Sequence, residues 1–211
     1  MKTLILGDGE DARVRAGEIL KTGGIVAFPT DTVYGLGAVY TDRAAVRKIF
    51  MAKGRDESKP LSILISDISQ VDLLAQDVPD EARALMKRFW PGALTIIVKK
   101  NDSVPDEVSA HGNTVGIRMP ADERTLGIIR SAGLPLAAPS ANLSGKRSSV
   151  SFEDVMEDLD GRIDAAVDGG SCDLGVASTV LDISNGRIRI LREGLITREM
   201  IGECAGKAKG E

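Results

Sequence analysis

Between residues 53 and 59 the chain reads Lys-Gly-Arg-Asp-Glu-Ser-Lys, three cations within seven positions. Lys53 stands seven residues after Val46, so it continues the inward stripe of the helical pattern before it. A cation on that stripe calls for an anionic partner. The plainer alternative is that Lys53 and Arg55 complement the negative end of a helix and snorkel to water. Two further arginines, Arg118 in "GIRMP" and Arg192 in "RILREG", stand at strand ends before a turn residue. The stretch "LAAPSANLSGKRSS" puts Ser140, Asn142, Ser144, Ser148 and Ser149 after a strand whose alanines leave room for a ligand. "ASTVLDI" opens another strand with Ser178 and Thr179.

Familiar phosphate fingerprints fail. "YGLGAVY" has Gly35 and Gly37 but no third glycine, and "SGKRSS" lacks the upstream glycine of a P-loop. The chain holds one histidine, His111, and two cysteines, Cys172 and Cys204. These are too few soft ligands for a Cys/His zinc site, and they offer one imidazole for a hydrolytic triad. Both cysteines are expected to be idle thiols.

The 211 residues suffice for one domain, taken as 1–211, with a tail from about 206 expected to fray. Composition is 43% hydrophobic and 27% charged, that of a globular protein, with no apolar run of membrane-spanning length. A cytoplasmic location is expected. The net charge of −4 argues against general affinity for nucleic acid, and 3% aromatics against base-stacking platforms.

Alternating elements must position the candidate residues. Strands are expected at 24–28, 61–65, 94–98, 114–118, 136–138, 178–183 and 187–191, with another after the polar break at 29–34. Helices are expected over "DARVRAGEILKTGG", within "TDRAAVRKIFMAKGR" between a Thr41 or Asp42 cap and a Gly54 stop, and over 80–89, 123–132, 153–159 and 198–205. Asn185-Gly186 signals a closing hairpin. The expected fold class is α/β, a twisted mixed parallel and antiparallel sheet with helices on both faces.

"FPTDTVYGLGA", "KGR…KPL", "WPGALTIIV", "VGIRMP", "PLAAPSANLSGK", "STVLDI" and "ILREG", in that order, resemble the YrdC-like family of threonylcarbamoyl-AMP synthases over about residues 10–195. The resemblance implies the short, catalytic-domain form. It implies an enzyme that joins L-threonine, bicarbonate or CO2, and ATP into threonylcarbamoyl-adenylate, releasing pyrophosphate. A downstream threonylcarbamoyl transferase complex would then modify tRNA. Lys53 and Arg55 would be catalytic and hold triphosphate oxygens, with Thr114, Ser140, Asn142, Ser148 and Arg192 around the nucleotide. Thr30, Thr32, Tyr34, Lys59, Thr95, Arg118 and Ser178 would bind substrate, Arg118 pairing with the threonine carboxylate. Mg²⁺ would arrive with ATP, with no dedicated protein cage. Asp56 stands where family members often have proline.

On this reading the hydroxyls of Thr30 and Thr32 face a small polar substrate, and Gly35 and Gly37 let backbone and ligand approach closely. Loss of Lys53 or Arg55 should then lower turnover about a hundredfold with folding intact. The rival reading is an RNA-binding module in which Lys53, Arg55, Lys146 and Arg147 form a basic concavity without synthase activity, and a tRNA or double-stranded RNA contact stays open beside the enzyme reading.

Overall fold

The computed structural model describes residues 2–207. Its strands are β1 (Leu4–Leu6), β2 (Val26–Phe28), β3 (Gly35–Val39), β4 (Ser62–Leu64) and β5 (Leu94–Lys99), then β6 (Thr114–Arg118), β7 (Leu136–Ala137), β8 (Ala165–Val167), β9 (Thr179–Asp182) and β10 (Arg189–Arg192). The helices are α1 (Glu10–Lys21), α2 (Arg43–Lys53), α3 (Val71–Leu74), α4 (Asp80–Phe89), α5 (Asp106–Ser109), α6 (Glu123–Ala132), α7 (Phe152–Leu159) and α8 (Arg198–Lys207). None is long and apolar enough to cross a membrane.

The strands form one sheet in the order β1-β8-β2-β3-β7-β4-β6-β5-β9-β10. The pairs β1–β8, β8–β2, β4–β6 and β5–β9 are parallel, and the others antiparallel. The mixed sheet is therefore as expected, including the closing hairpin of β9 and β10. Successive residues of a strand face opposite sides, so the sheet feeds two cores. On one side Ile49 and Phe50 of α2, Leu85 and Met86 of α4 and Val155 of α7 pack on Ile63, Ile96 and Ile117. On the other, Leu20 of α1 and Ile128 and Ile129 of α6 pack on Phe28, Leu64 and Leu136.

Local chemistry sets the helix ends. The Asp42 carboxylate accepts from the Ala45 N–H at 3.0 Å and starts α2, and Gly54 stops it at φ 58°, where a side chain would be strained. Asp122 caps α6 by accepting from Thr125 N–H at 2.9 Å, and Ser151 opens α7 with a capping box to Asp154.

Strands β1 and β8 were not expected. Each has three residues, and the Ala-Ala-Val of β8 carries little of the β-branched bulk that marks a strand; its neighbours β1 and β2 make it one. Helix α8 runs two residues past its expected end to Lys207, and residues 208–211 of the tail expected to fray lie outside the described residues.

Candidate functional site

The break between β2 and β3 folds on its own hydroxyls. Thr30 Oγ1 donates to the Val33 carbonyl at 2.7 Å and accepts from the N–H groups of Thr32 and Val33. That donation uses the only Thr30 hydroxyl proton, so the 3.0 Å contact between Thr30 Oγ1 and Thr32 Oγ1 is donated by Thr32. Thr32 Oγ1 in turn accepts from Arg118 Nη1 at 2.7 Å. Both hydroxyls line a cleft of about 260 Å³, but their first use is to shape the turn and orient Arg118.

Arg118 ends β6, paired in register with Leu64 of β4. Thr95 lies one step beyond the Ile96–Ile117 pair of β5 and β6, and Val180 of β9 pairs with Thr95. Leu64, Arg118, Thr95 and Val180 thus form a row across four strands, on the sheet face that α1 and α6 cover farther along, and all four line the cleft. The Arg118 side chain is 7% exposed. Nε donates to the Gly92 carbonyl at 2.9 Å, and Nη2 donates to Asp31 Oδ1 in a buried ion pair. Burial pulls the Arg118 pKa down from its usual range and Asp31 opposes that. Burial pushes the Asp31 carboxyl up, with Arg118 opposing.

Three more cleft walls come from distant segments. Ser140 and Ser148 belong to the loop after β7, Arg55 to the exit of α2, and Ser178 and Arg192 to the β9–β10 hairpin. Ser178 Oγ shares a 2.9 Å hydrogen bond with Thr95 Oγ1, and Arg192 donates to the Ser178 carbonyl at 3.0 Å and to its hydroxyl at 3.3 Å. Arg55 donates through Nη2 to the Pro60 carbonyl at 3.0 Å, holding the loop that follows it. Burial lowers the pKa of both Arg55 and Arg192, and both stay cationic.

Lys53 does not line the cleft. It is 2% exposed, and its ammonium donates to the carbonyls of Ser140, at 2.5 Å, and Asn142. The inward cation of the helical stripe therefore meets carbonyl oxygens in place of an anion, and it sits behind the loop that presents Ser140. Burial pulls its pKa down to about 8, helped by Arg55 and opposed by Asp158. Asn142 is 5% exposed; its amide donates to the carbonyls of Leu143 and Lys146, and its Oδ1 accepts from Ser140 Oγ at 2.5 Å. Asp158 anchors the same loop, accepting from Leu143 N–H at 3.0 Å and Lys146 Nζ at 2.6 Å.

Other expected residues sit differently. Tyr34 lines the cleft, yet its hydroxyl donates to the Gly170 carbonyl at 2.9 Å and accepts from Gly169 N–H, so it braces the 169–170 turn. Thr114 shares the face of β6 with Arg118 but lies about 13 Å along the strand, four residues at 3.3 Å each, and is not among the cleft-lining residues. Lys59 is exposed and outside the lining. Asp56 accepts from Ser58 N–H at 2.9 Å, an Asx turn in the loop after α2. His111 is exposed and Cys172 is a buried thiol pushed up by burial to about 11.

The two glycines of β3 are corrected. A Cβ at Gly37 would lie 2.6 Å from Phe28 Cε1, and one at Gly35 3.2 Å from Phe28 Cε2. Gly37, outside the cleft lining, makes room for the ring of Phe28, fully buried on the neighbouring strand, rather than for a ligand, whereas Gly35 both borders that ring and lines the cleft. Sequence reasoning missed Asp31, although an acid between two threonines and an arginine at a strand end are the two halves of a buried pair. Ser62, also in the lining, carries no sequence signal beyond its place on β4.

The mixed α/β sheet carries a polar cleft walled by three arginines and eight hydroxyl-bearing side chains (Thr30, Thr32, Tyr34, Ser62, Thr95, Ser140, Ser148 and Ser178). The chain belongs to the Sua5/YciO/YrdC family, whose pattern, described as telomere recombination, matches residues 18–194. It is 50% identical over 193 residues to a threonylcarbamoyl-AMP synthase of Bacillus subtilis, covering 91% of this chain and 56% of that protein. A threonylcarbamoyl-AMP synthase of Pyrococcus abyssi is 45% identical over 197 residues, covering 93% and 58%. The solved structure of P. abyssi Sua5 complexed with L-threonine superposes with a TM-score of 0.93 at 42% identity, over 98% of this chain and 61% of that one. The chain thus spans a little over half the length of these relatives.

Proposed function

We propose that the cleft makes threonylcarbamoyl-adenylate from L-threonine, bicarbonate or CO2, and ATP, releasing pyrophosphate. The observation that supports this best is the joining of Arg55, Arg118 and Arg192 in one cleft with Thr32, Thr95, Ser140 and Ser178, in a chain so similar to a protein solved with L-threonine. Arg118, on the floor, would receive the amino acid's carboxylate. Arg55 and Arg192, on the walls, would take phosphate oxygens, with Ser140 and Ser148 donating beside them.

Threonine is seated as a zwitterion; its ammonium then gives up one proton to become the amine that adds to CO2, and a second proton leaves as the carbamate forms. A carbamate oxygen attacks the α-phosphorus of ATP and pyrophosphate leaves. The substrate is its own nucleophile, which suits a cleft lined by no His or Cys. The protein's part is to hold the carbamate and phosphate in line and to stabilise the charge that builds on phosphate oxygens. Lys53 acts from behind, keeping Ser140 in place and adding a positive charge. Cleft donors are hydroxyl and guanidinium groups without carboxylates, which fits a Mg²⁺ carried on phosphate oxygens and not one held by the protein. Bound there, Mg²⁺ would neutralise phosphate charge. The adenylate would pass to a transferase acting on tRNA.

The test is pyrophosphate release from ATP and Mg²⁺ with and without L-threonine and bicarbonate, with L-serine as control. Release that needs both supports the synthase; no threonine-dependent release from folded protein overturns it.

A further inference from the structure

We propose that Asp31 is a built-in counter-ion that neutralises Arg118 and so makes the cleft reject carboxylates that lack an amino group. The inference rests on the reading that Arg118 receives the threonine carboxylate. Asp31 and Arg118 form an ion pair whose side chains are 6% and 7% exposed, too buried for solvent to screen. Three protein groups, Gly92 O, Thr32 Oγ1 and Asp31 Oδ1, already take N–H groups of the guanidinium. It is fixed in place before any ligand arrives.

The pair is also lopsided. Asp31 Oδ2 is buried with no hydrogen-bond partner among the described residues. If orientation of Arg118 were all that the fold required, a neutral acceptor would serve without burying a half-satisfied anion. What the anion adds is charge. Arg118 and Asp31 together carry none, so a carboxylate laid on Arg118 brings an uncompensated negative charge onto the cleft floor. An amino acid brings its own ammonium and enters as a net-neutral zwitterion. Two other charges act on the pair, Asp122 on Asp31 and Arg192 on Arg118, and each has a counter-charge of its own once ATP is bound. Asp122, before α6, is paired with Arg124, and Arg192 faces the cleft wall where the phosphates would lie. Asp31 is thus a positioning and selectivity residue acting through Arg118.

The test compares L-threonine with 3-hydroxybutyrate, which keeps the carboxylate, hydroxyl and methyl and lacks the amino group. Binding is measured by calorimetry with the full chain, in the presence of a non-hydrolysable ATP analogue and Mg²⁺ to fill the arginine walls. The unaltered protein should bind threonine at least 100-fold more tightly than 3-hydroxybutyrate. Asp31→Asn, close in shape and uncharged, should narrow that gap to tenfold or less by strengthening 3-hydroxybutyrate. A gap under tenfold in the unaltered protein overturns the proposal whether or not the variant folds. Equal weakening of both ligands in a folded Asp31→Asn would show a mere strut and overturn it too. Failure of threonine itself to bind removes the synthase reading and this inference with it, whereas equal binding of both ligands removes only the inference.

Discussion

Lys53 and Ser140 are 87 positions apart, and the Lys53 ammonium donates to the Ser140 carbonyl at 2.5 Å while also reaching the carbonyl of Asn142. The last turn of α2 is thereby tied to the loop after β7. The side chain that the sequence casts as a phosphate ligand is a tie-bar for the wall that carries Ser140.

Its removal should therefore cost stability as well as activity, against the sequence expectation of an intact fold. Read near pH 10, where the amine is neutral and carries no desolvation cost, Lys53→Met leaves two buried carbonyls without a donor, a loss of about 2–3 kcal/mol, and at neutral pH turnover should fall about a hundredfold. Arg55→Ala should match that fall in turnover at a stability cost under about 1 kcal/mol, because half-exposed Arg55 gives up loop hydrogen bonds that water replaces. Urea unfolding beside pyrophosphate release separates the two; equal stability losses would refute the tie-bar.

The same lysine sets a pH dependence with opposite signs for activity and stability. Burial lowers its pKa from 10.5 to about 8, so between those values the unfolded chain holds a proton that the folded one has released. Stability should rise with pH across that window, by on the order of 3 kcal/mol in all, because the desolvation cost of the buried cation disappears. A neutral amine still has two N–H groups for the two carbonyls. Activity should instead fall above about pH 8 as the positive charge behind the cleft is lost. The difference in unfolding free energy between the protein and Lys53→Met, followed from pH 7 to 10, isolates this group; a flat difference would show that Lys53 does not titrate there.

Arg118 carries two burdens that a double variant pulls apart. Arg118→Met should abolish threonine binding and cost about 3–5 kcal/mol, since Asp31 is left charged and alone in the interior. Adding Asp31→Asn should return roughly half or more of that stability and none of the binding. Thermal melts and threonine calorimetry on the three variants check it. A second substitution that only adds to the first loss would mean that Asp31 is stable without its partner.

Most of the fold was legible because its signals are local. The helix before Gly54 could be read from the stripe of Val46, Ile49 and Phe50 and from two candidate caps, Thr41 and Asp42, of which the structure uses Asp42. Strand β8 could not, because Ala165 and Ala166 become strand only between β1 and β2, contacts made across more than 130 residues. The cleft divides the same way. Arg118, Arg192, Ser140 and Ser178 stand at strand ends, where sequence spacing and topology agree, and they meet. The roles of Lys53 and Asn142 came from the family resemblance, but what a buried ammonium or amide bonds depends on which carbonyls the chain folds against it. Asp31 was invisible as half of a pair whose other half lies 87 residues away.

The glycines of β3 give the sharpest separation of packing from ligand access. Phe28 is paired in register with Gly35, and its ring lies over both glycines, nearer Gly37. A methyl at Gly37 would sit 2.6 Å from Phe28 Cε1 and 3.4 Å from Leu136 Cδ1, and neither side chain has room to retreat, both being fully buried. Gly37→Ala should therefore cost about 1–3 kcal/mol by overpacking. Gly35→Ala, at 3.2 Å from the ring, should cost under about 1 kcal/mol, since a shift of a few tenths of an ångström relieves it. If the glycines instead served ligand approach, the order would reverse in a different assay: Gly35, which lines the cleft, would lose threonine or ATP affinity with little change in stability, and Gly37, which does not, would lose neither. Urea midpoints and ligand affinities for the two variants decide it, because packing predicts that the larger defect is in stability and at Gly37.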